Sequence, residues 1–181
     1  MTKLDSFIWK MVGWFFKLIG KDLNEEQKKN VIQFIKFCIV GATNTTLAFL
    51  INLAVLTALS GTFLSGPVSI AGIRFSLDVF LGNLVAFILS VLWSFYWNNK
   101  YVFTLEKGQK RNLGKALLKT YASYSVTGIF LTNLLSWIWV DNLGINKVIA
   151  IIINLTLSVP LNFILNKLWA FKSDKSDTKE E

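Results

Sequence analysis

The chain has 181 residues, 53% of them hydrophobic, with nineteen Lys and Arg against eleven Asp and Glu, a net charge of +8 and a mean hydropathy of +0.49. It holds no His and a single Cys, Cys38, which excludes Ser-His-Asp and Cys-His nucleophiles, a His-based metal site and an internal disulfide. No charged side chain occurs in 37–73, 79–99, 120–140 or 148–166, and runs of that length exclude a soluble enzyme.

In chain order, residues 1–23 read as an amphipathic helix and linker. Ser6, Lys10, Gly13 and Lys17 form a narrow polar face, and Phe7, Ile8, Met11, Trp14, Phe15, Leu18 and Ile19 cover much of the rest. This pattern predicts an interfacial helix on the inner leaflet, with its lysines near anionic headgroups. Lys10 and Lys17 interrupt the apolar core that a signal peptide needs. Asn24 and Gln27 then have the spacing of an N-cap and its reciprocal partner, opening a helix that runs into the first span. That span is expected over about 35–59. Gly61, Gly66, Pro67 and Gly72 predict an irregular connection to about Asp78. Three further spans follow, over about 79–97, 120–140 and 148–165, the last with a kink at Pro160. All are helices, because lipid offers no partner for backbone polar groups. The fold class is thus an all-α membrane protein, with a four-span domain over 24–171. The charged tail 172–181 is expected to be disordered.

Charge sets the orientation. Seven basic residues precede span one, six lie between spans two and three, and four follow span four. The other two loops hold only Arg74 and Lys147. Seventeen of nineteen on one side place both termini and the middle loop in the cytoplasm. Trp93, Trp97 and Trp169 then fall at the inner interface, and Trp137 and Trp139 at the outer one. The excess positive charge is a topological signal, and nucleic acid is not an expected partner.

The ends of spans two and four match at an offset of 68: Ser90, Ser94, Asn98, Tyr101 and Phe103 map onto Ser158, Asn162, Asn166, Trp169 and Phe171. Spans one and three match less closely at an offset of 84, with Gly41, Thr43 and Asn52 over Ser125, Thr127 and Ser136. The chain therefore reads as two tandem helical hairpins, a parallel repeat about an axis along the membrane normal.

Polar residues recur at helical spacing inside the spans: Asn154, Ser158, Asn162 and Asn166 in span four, and Ser90, Ser94 and Asn98 in span two. Such faces turn away from lipid and either pack helices together or line a polar path. The Ser and Gly positions read best as packing. Asn98, Asn99, Asn162 and Asn166, with Asn44 of span one, stand near Lys36, Lys100, Lys167 and the ring of Trp169 at the cytoplasmic ends. Ammonium groups neutralise phosphate, amides bond hydroxyls and rings stack on sugar faces, so these nine residues are the candidate substrate site. The ordinary alternative for the lysines is positive-inside anchoring. No ionisable residue lies in the middle of a span, and no P-loop or plausible pair of carboxylates is present, which argues against proton-driven and ATP-driven chemistry and ranks a small ion channel last. No metal or cofactor is expected.

Phe34-Ile-Lys-Phe37-Cys-Ile-Val-Gly41, Ser94-Phe95-Tyr96-Trp97-Asn98-Asn99-Lys100-Tyr101-Val102-Phe103 and Asn162-Phe163-Ile-Leu-Asn166-Lys167-Leu-Trp169-Ala-Phe171 resemble the motifs of the GtrA-like family of small four-span bacterial membrane proteins. Asn99 stands where that family usually has a basic residue, with Lys100 one position later. The resemblance covers about 31–172 and leaves the N-terminal helix outside. It implies a part in cell-surface polysaccharide or teichoic acid glycosylation: a non-enzymatic flippase for a polyprenyl-phosphate-linked monosaccharide in the bacterial cytoplasmic membrane. The alternative is a non-catalytic accessory or scaffold subunit that anchors a polyprenyl-phosphate glycosyltransferase. Partners would be the lipid-linked sugar, membrane lipids and glycosyltransferases of the same pathway. Four helices barely enclose a groove, so a homo-oligomer is expected.

Overall fold

The computed structural model describes residues 3–18, 20, 22–65, 67–70, 72–106 and 108–173. From residue 174 on, the expected disordered tail lies outside the described residues.

Helix α1 covers Lys3–Leu18 and α2 covers Glu25–Leu59. A two-stranded hairpin follows, β1 (Pro67–Ile70) paired antiparallel with β2 (Ile73–Ser76), and leads into α3 (Leu77–Trp97). After a π-helical turn at Asn98–Val102, α4 spans Leu113–Ser125. It continues through a π turn (Val126–Leu131), the short α5 (Thr132–Ser136) and another π turn (Trp137–Asn142). Helix α6 (Lys147–Leu165) ends in a fourth π turn, Asn166–Ala170.

The start of α2 follows from its capping residues. The Gln27 backbone N–H donates to Asn24 Oδ1 at 2.8 Å, and the Asn24 N–H donates to Gln27 Oε1 at 3.0 Å. Two otherwise orphaned donors are thereby satisfied, and the helix runs without interruption through what the sequence reads as span one. Helix α6 likewise stays helical through Pro160.

Among the described residues, three helices are long and apolar enough to cross a membrane: Glu25–Leu59, Leu77–Val102 and Ile149–Ala170. Many of their apolar residues point outward; Phe49 is 66% exposed and Ile152 60%. Such surface has no place in water but suits lipid. The chain is a helical multi-pass membrane protein. The expected third span, 120–140, lies inside the continuous helical run 113–142, which is not among the three. Its content of Ser, Thr and Asn sets it apart.

One expectation is corrected. The connection between the first two spans is a β-hairpin and not an irregular loop, so the fold is helical with a small sheet rather than all-α. Val68, Ile70, Ile73 and Phe75 are strand formers, and Gly72, at φ +82°, supplies the left-handed residue of the two-residue turn.

The chain divides into two compact units, 1–39 with 98–181, and 40–97. The first has an aromatic core: Phe163 meets Phe34, Phe37 and Phe103 at centroid distances of 5.3, 5.6 and 5.8 Å. Along α4 and into the π turn that follows it, Ala116, Thr120, Ser123 and Thr127 recur every three or four residues and are buried. These small side chains let α4 pack closely on the Asn166–Ala170 turn. Between α5 and α6, Asn154 Nδ2 donates to Ser136 Oγ at 2.7 Å.

In the second unit, Asn52 Nδ2 of α2 donates to Asn83 Oδ1 of α3 at 2.7 Å. Gly82 packs beside this pair, where a Cβ would stand 3.4 Å from the Asn52 amide. Trp93 Nε1 donates to Thr43 Oγ1 at 3.3 Å.

Candidate functional site

The two copies of the Asn-x-x-[Trp/Tyr]-x-Phe motif fold identically at the hydrogen-bond level. The Phe103 N–H donates to Asn98 O at 2.8 Å, and the Phe171 N–H donates to Asn166 O at 2.8 Å. Each bond closes a π turn that carries its Phe inward, and the two rings stack at 4.8 Å with 22° between planes. Arg111 seals the pair. Its Nη1 donates to Asn99 Oδ1 at 2.7 Å, both terminal nitrogens donate to Phe103 O at 3.0 Å, and the guanidinium lies 5.2 Å from the Phe171 ring.

The candidate residues thus divide. Asn98 and Asn166 are fully buried in the first unit. Asn166 Nδ2 donates to the backbone O of Asn162 at 2.8 Å and lies 3.4 Å from Asn162 Oδ1, so these two residues meet within one local turn. Asn99 is engaged by Arg111. Lys167 Nζ donates to Asn30 Oδ1 at 2.5 Å and lies 5.8 Å from the Phe163 ring. Trp169 is 44% exposed, with Lys119 Nζ 5.7 Å from its ring and 3.4 Å from its carbonyl. Asn44 belongs to the second unit.

Lys36 and Lys100 are brought together. Both line a cavity of about 630 Å³ in the first unit, bounded by α1, the first turns of α2 and the π turn after α3. Five lysines face it, Lys3, Lys28, Lys29, Lys36 and Lys100, against the carboxylates of Asp5 and Glu25. Lys36 is held in an ion pair with Asp5, both side chains largely buried. Lys28 pairs with Glu25 at 2.7 Å, and Lys29 with Glu106 at 3.3 Å, in more exposed settings. Tyr101 adds a ring to the wall, 5.2 Å from Lys100 Nζ. A basic, ring-walled cavity of this size can take a phosphate and one small polar group.

Sequence reading missed Lys3, Asp5, Lys28 and Lys29 as cavity residues, and Arg111 and Asn30 as partners of motif residues. For Arg111 a signal exists. It is the only Arg among the lysines of its loop, and a planar fork does what an ammonium cannot. Asp5 and Asn30 carry no local mark, because each is defined by a partner far along the chain.

Helix α1 shows a face that its sequence pattern did not separate. Asp5, Ile8, Trp9, Val12, Gly13 and Phe16 turn inward, with Ile8 and Gly13 buried. Leu4, Phe7, Met11, Trp14, Phe15 and Leu18 form an outward ridge, each 47–67% exposed. Ile8 and Gly13, expected on the lipid-facing and polar sides, instead belong to the packed face; Trp9 lies over Gly13, where a Cβ would come within 3.1 Å of its ring.

No curated protein and no solved structure matches the chain. Residues 36–171 match the family model described as GtrA/DPMS, transmembrane domain. The matched segment holds most of α2, all of α3 and α6, and both motif copies with their stacked phenylalanines. It leaves α1 and the capped start of α2 outside, as the sequence motifs do. The chain belongs to the GtrA/DPMS transmembrane-domain family.

Proposed function

We propose that the protein moves a polyprenyl-phosphate-linked monosaccharide across the bacterial cytoplasmic membrane for glycosylation of a cell-surface polymer, with no covalent step of its own. The observation that carries this reading is the meeting of Lys36 and Lys100 in one cavity of about 630 Å³, in a domain whose helices otherwise present apolar surface. A sugar phosphate must leave water before it enters about 30 Å of hydrocarbon, and desolvation is costly unless charge and hydroxyls are met by protein groups. Membership in the family and the absence of charge from mid-span positions point the same way.

In this reading 120–140 is a fourth span and the chain is two tandem hairpins with both termini cytoplasmic. Helix α1 lies on the inner leaflet with its outward ridge in the acyl boundary and Lys10 and Lys17 at the headgroups. The protein works as a homo-oligomer beside glycosyltransferases of its pathway. The test is reconstitution in vesicles with a fluorescent short-chain prenyl-phosphate sugar. Exposure of the sugar to a membrane-impermeant quencher should be rapid with wild-type protein and slowed about tenfold by Lys100→Gln. Equal rates with and without protein would end the proposal.

The outward ridge of α1 also favours a second reading, an accessory subunit that docks a membrane glycosyltransferase. Deleting residues 1–20 separates the two: full sugar transfer in cells after the deletion would count against the docking role.

A further inference from the structure

The cavity is not a product of the family domain alone. Eight of its thirteen lining residues precede position 36, where the family match begins. Lys3 and Asp5 come from α1, and Lys28 and Lys29 from the capped start of α2, while the family domain supplies Lys36, Lys100 and Tyr101. The segment in front of the domain therefore sets the charge and width of the cavity.

Two features identify the ligand class. First, the wall carries five ammonium groups and two carboxylates, and with Lys29 paired to Glu106 a surplus of two positive charges remains, which suits an anionic phosphate better than a neutral sugar alone. Second, the best-shielded cation already holds an anion. Side-chain exposure is 13% for Lys36 and 16% for Asp5, against 83% for Glu25 in the neighbouring pair. A cation at that depth is costly without a counter-charge, so whatever displaces Asp5 must itself be anionic. A phosphate oxygen offers the same charge-assisted bond as a carboxylate oxygen.

We propose that this cavity is a phosphate site for a lipid headgroup and that Asp5 is its internal competitor. The phosphate takes over Lys36 from Asp5, aided by Lys3, Lys28, Lys29 and Lys100. Because Asp5 is fixed on α1, the exchange loosens α1 from α2 as the site fills. The N-terminal segment thus determines which headgroups the domain accepts: one with enough negative charge to outcompete a tethered carboxylate enters, and a neutral one does not. The inference rests on the proposed transport only in naming a prenyl phosphate as the lipid.

The test uses the full chain in a phosphate-free maltoside detergent, titrated by calorimetry with farnesyl phosphate, farnesol and inorganic phosphate. Farnesyl phosphate should bind wild type, and Asp5→Asn should bind it about tenfold tighter, roughly 1.4 kcal/mol, because no internal anion has to leave. Lys36→Gln should weaken binding about tenfold, and adding Asp5→Asn to it should change nothing further. Asp5→Glu keeps a competing carboxylate and should stay within about twofold of wild type. Equal tightening by Asp5→Glu and Asp5→Asn would mean that a disturbed α1, not lost competition, is responsible, and would overturn the proposal. So would unchanged affinity in Asp5→Asn, or tightening by Asp5→Asn that persists without Lys36. Inorganic phosphate binding as tightly as farnesyl phosphate would remove the lipid assignment, and farnesol binding equally well would remove the phosphate. Vesicle flipping that survives while the Asp5 effect is absent would sink this inference alone. An Asp5 effect without flipping would sink the transport reading and leave the site.

Discussion

Phe103 and Phe171, 68 residues apart and each the last residue of its motif copy, stack on one another at 4.8 Å between ring centroids. Both are buried, at 5% and 3% exposure, and each is delivered by the same π-turn bond from its backbone N–H to the motif Asn carbonyl. The repeat is thus a contact as well as a pattern. Truncating Phe171 to Ala removes one ring of the stack and should cost about 3 kcal/mol, as for other large-to-small changes in packed cores. Thermal unfolding in mild detergent should show a drop of several degrees, and an unchanged midpoint would remove the stack from the account of stability.

Arg111 should resist conservative replacement. Its two terminal nitrogens hold Phe103 O and Asn99 Oδ1 at once, and its guanidinium carbon lies 5.2 Å from the Phe171 ring centroid. Lysine can make one of these contacts but not the fork. Arg111→Lys is expected to lose about 1–2 kcal/mol by the same thermal measurement, well above the few tenths expected for an exposed Arg.

Within the second unit, steric fit should outweigh polarity. The Asn52–Asn83 hydrogen bond at 2.7 Å is expected to give only about 0.6 kcal/mol, typical between membrane helices. Asn83→Leu should therefore change stability little. Gly82→Leu must displace Asn52, whose amide lies 3.4 Å from where a Cβ would begin, and should cost about 1–3 kcal/mol. Reversible unfolding in a denaturing detergent compares the two variants directly, and a larger loss in Asn83→Leu would contradict this ranking.

The proposed orientation predicts which thiols face out. With Cys38 replaced by Ser, a cysteine at Phe63, 93% exposed before the hairpin, should react with an impermeant maleimide in intact cells. One at Gln109, in the loop that carries six basic residues, should react only after permeabilisation. The opposite pattern would invert the topology.

The sequence by itself determined the features that depend on near neighbours or on hydropathy. Uncharged runs marked the three apolar helices, since transfer into lipid is decided by what one segment carries. Asn24 and Gln27 marked the start of α2, since a capping box closes within three residues. The motif copies in α3 and α6 led to the family, since their residues stand at fixed helical offsets. The β-hairpin was obscured because glycines and a proline signal a turn without specifying what flanks it.

Only the tertiary structure decided where each motif residue sits. At helical spacing Asn98, Asn166 and Lys100 read alike as polar groups near one end, yet Asn98 and Asn166 are fully buried, while Lys100 lines the cavity. The pairing of Asp5 with Lys36 joins residues 31 positions apart on different helices, and that of Lys167 with Asn30 spans 137. Periodicity reports the face of a single helix; which partner meets that face depends on how separate helices pack, and here that packing gathered five lysines around one cavity with the Asp5 carboxylate already in it.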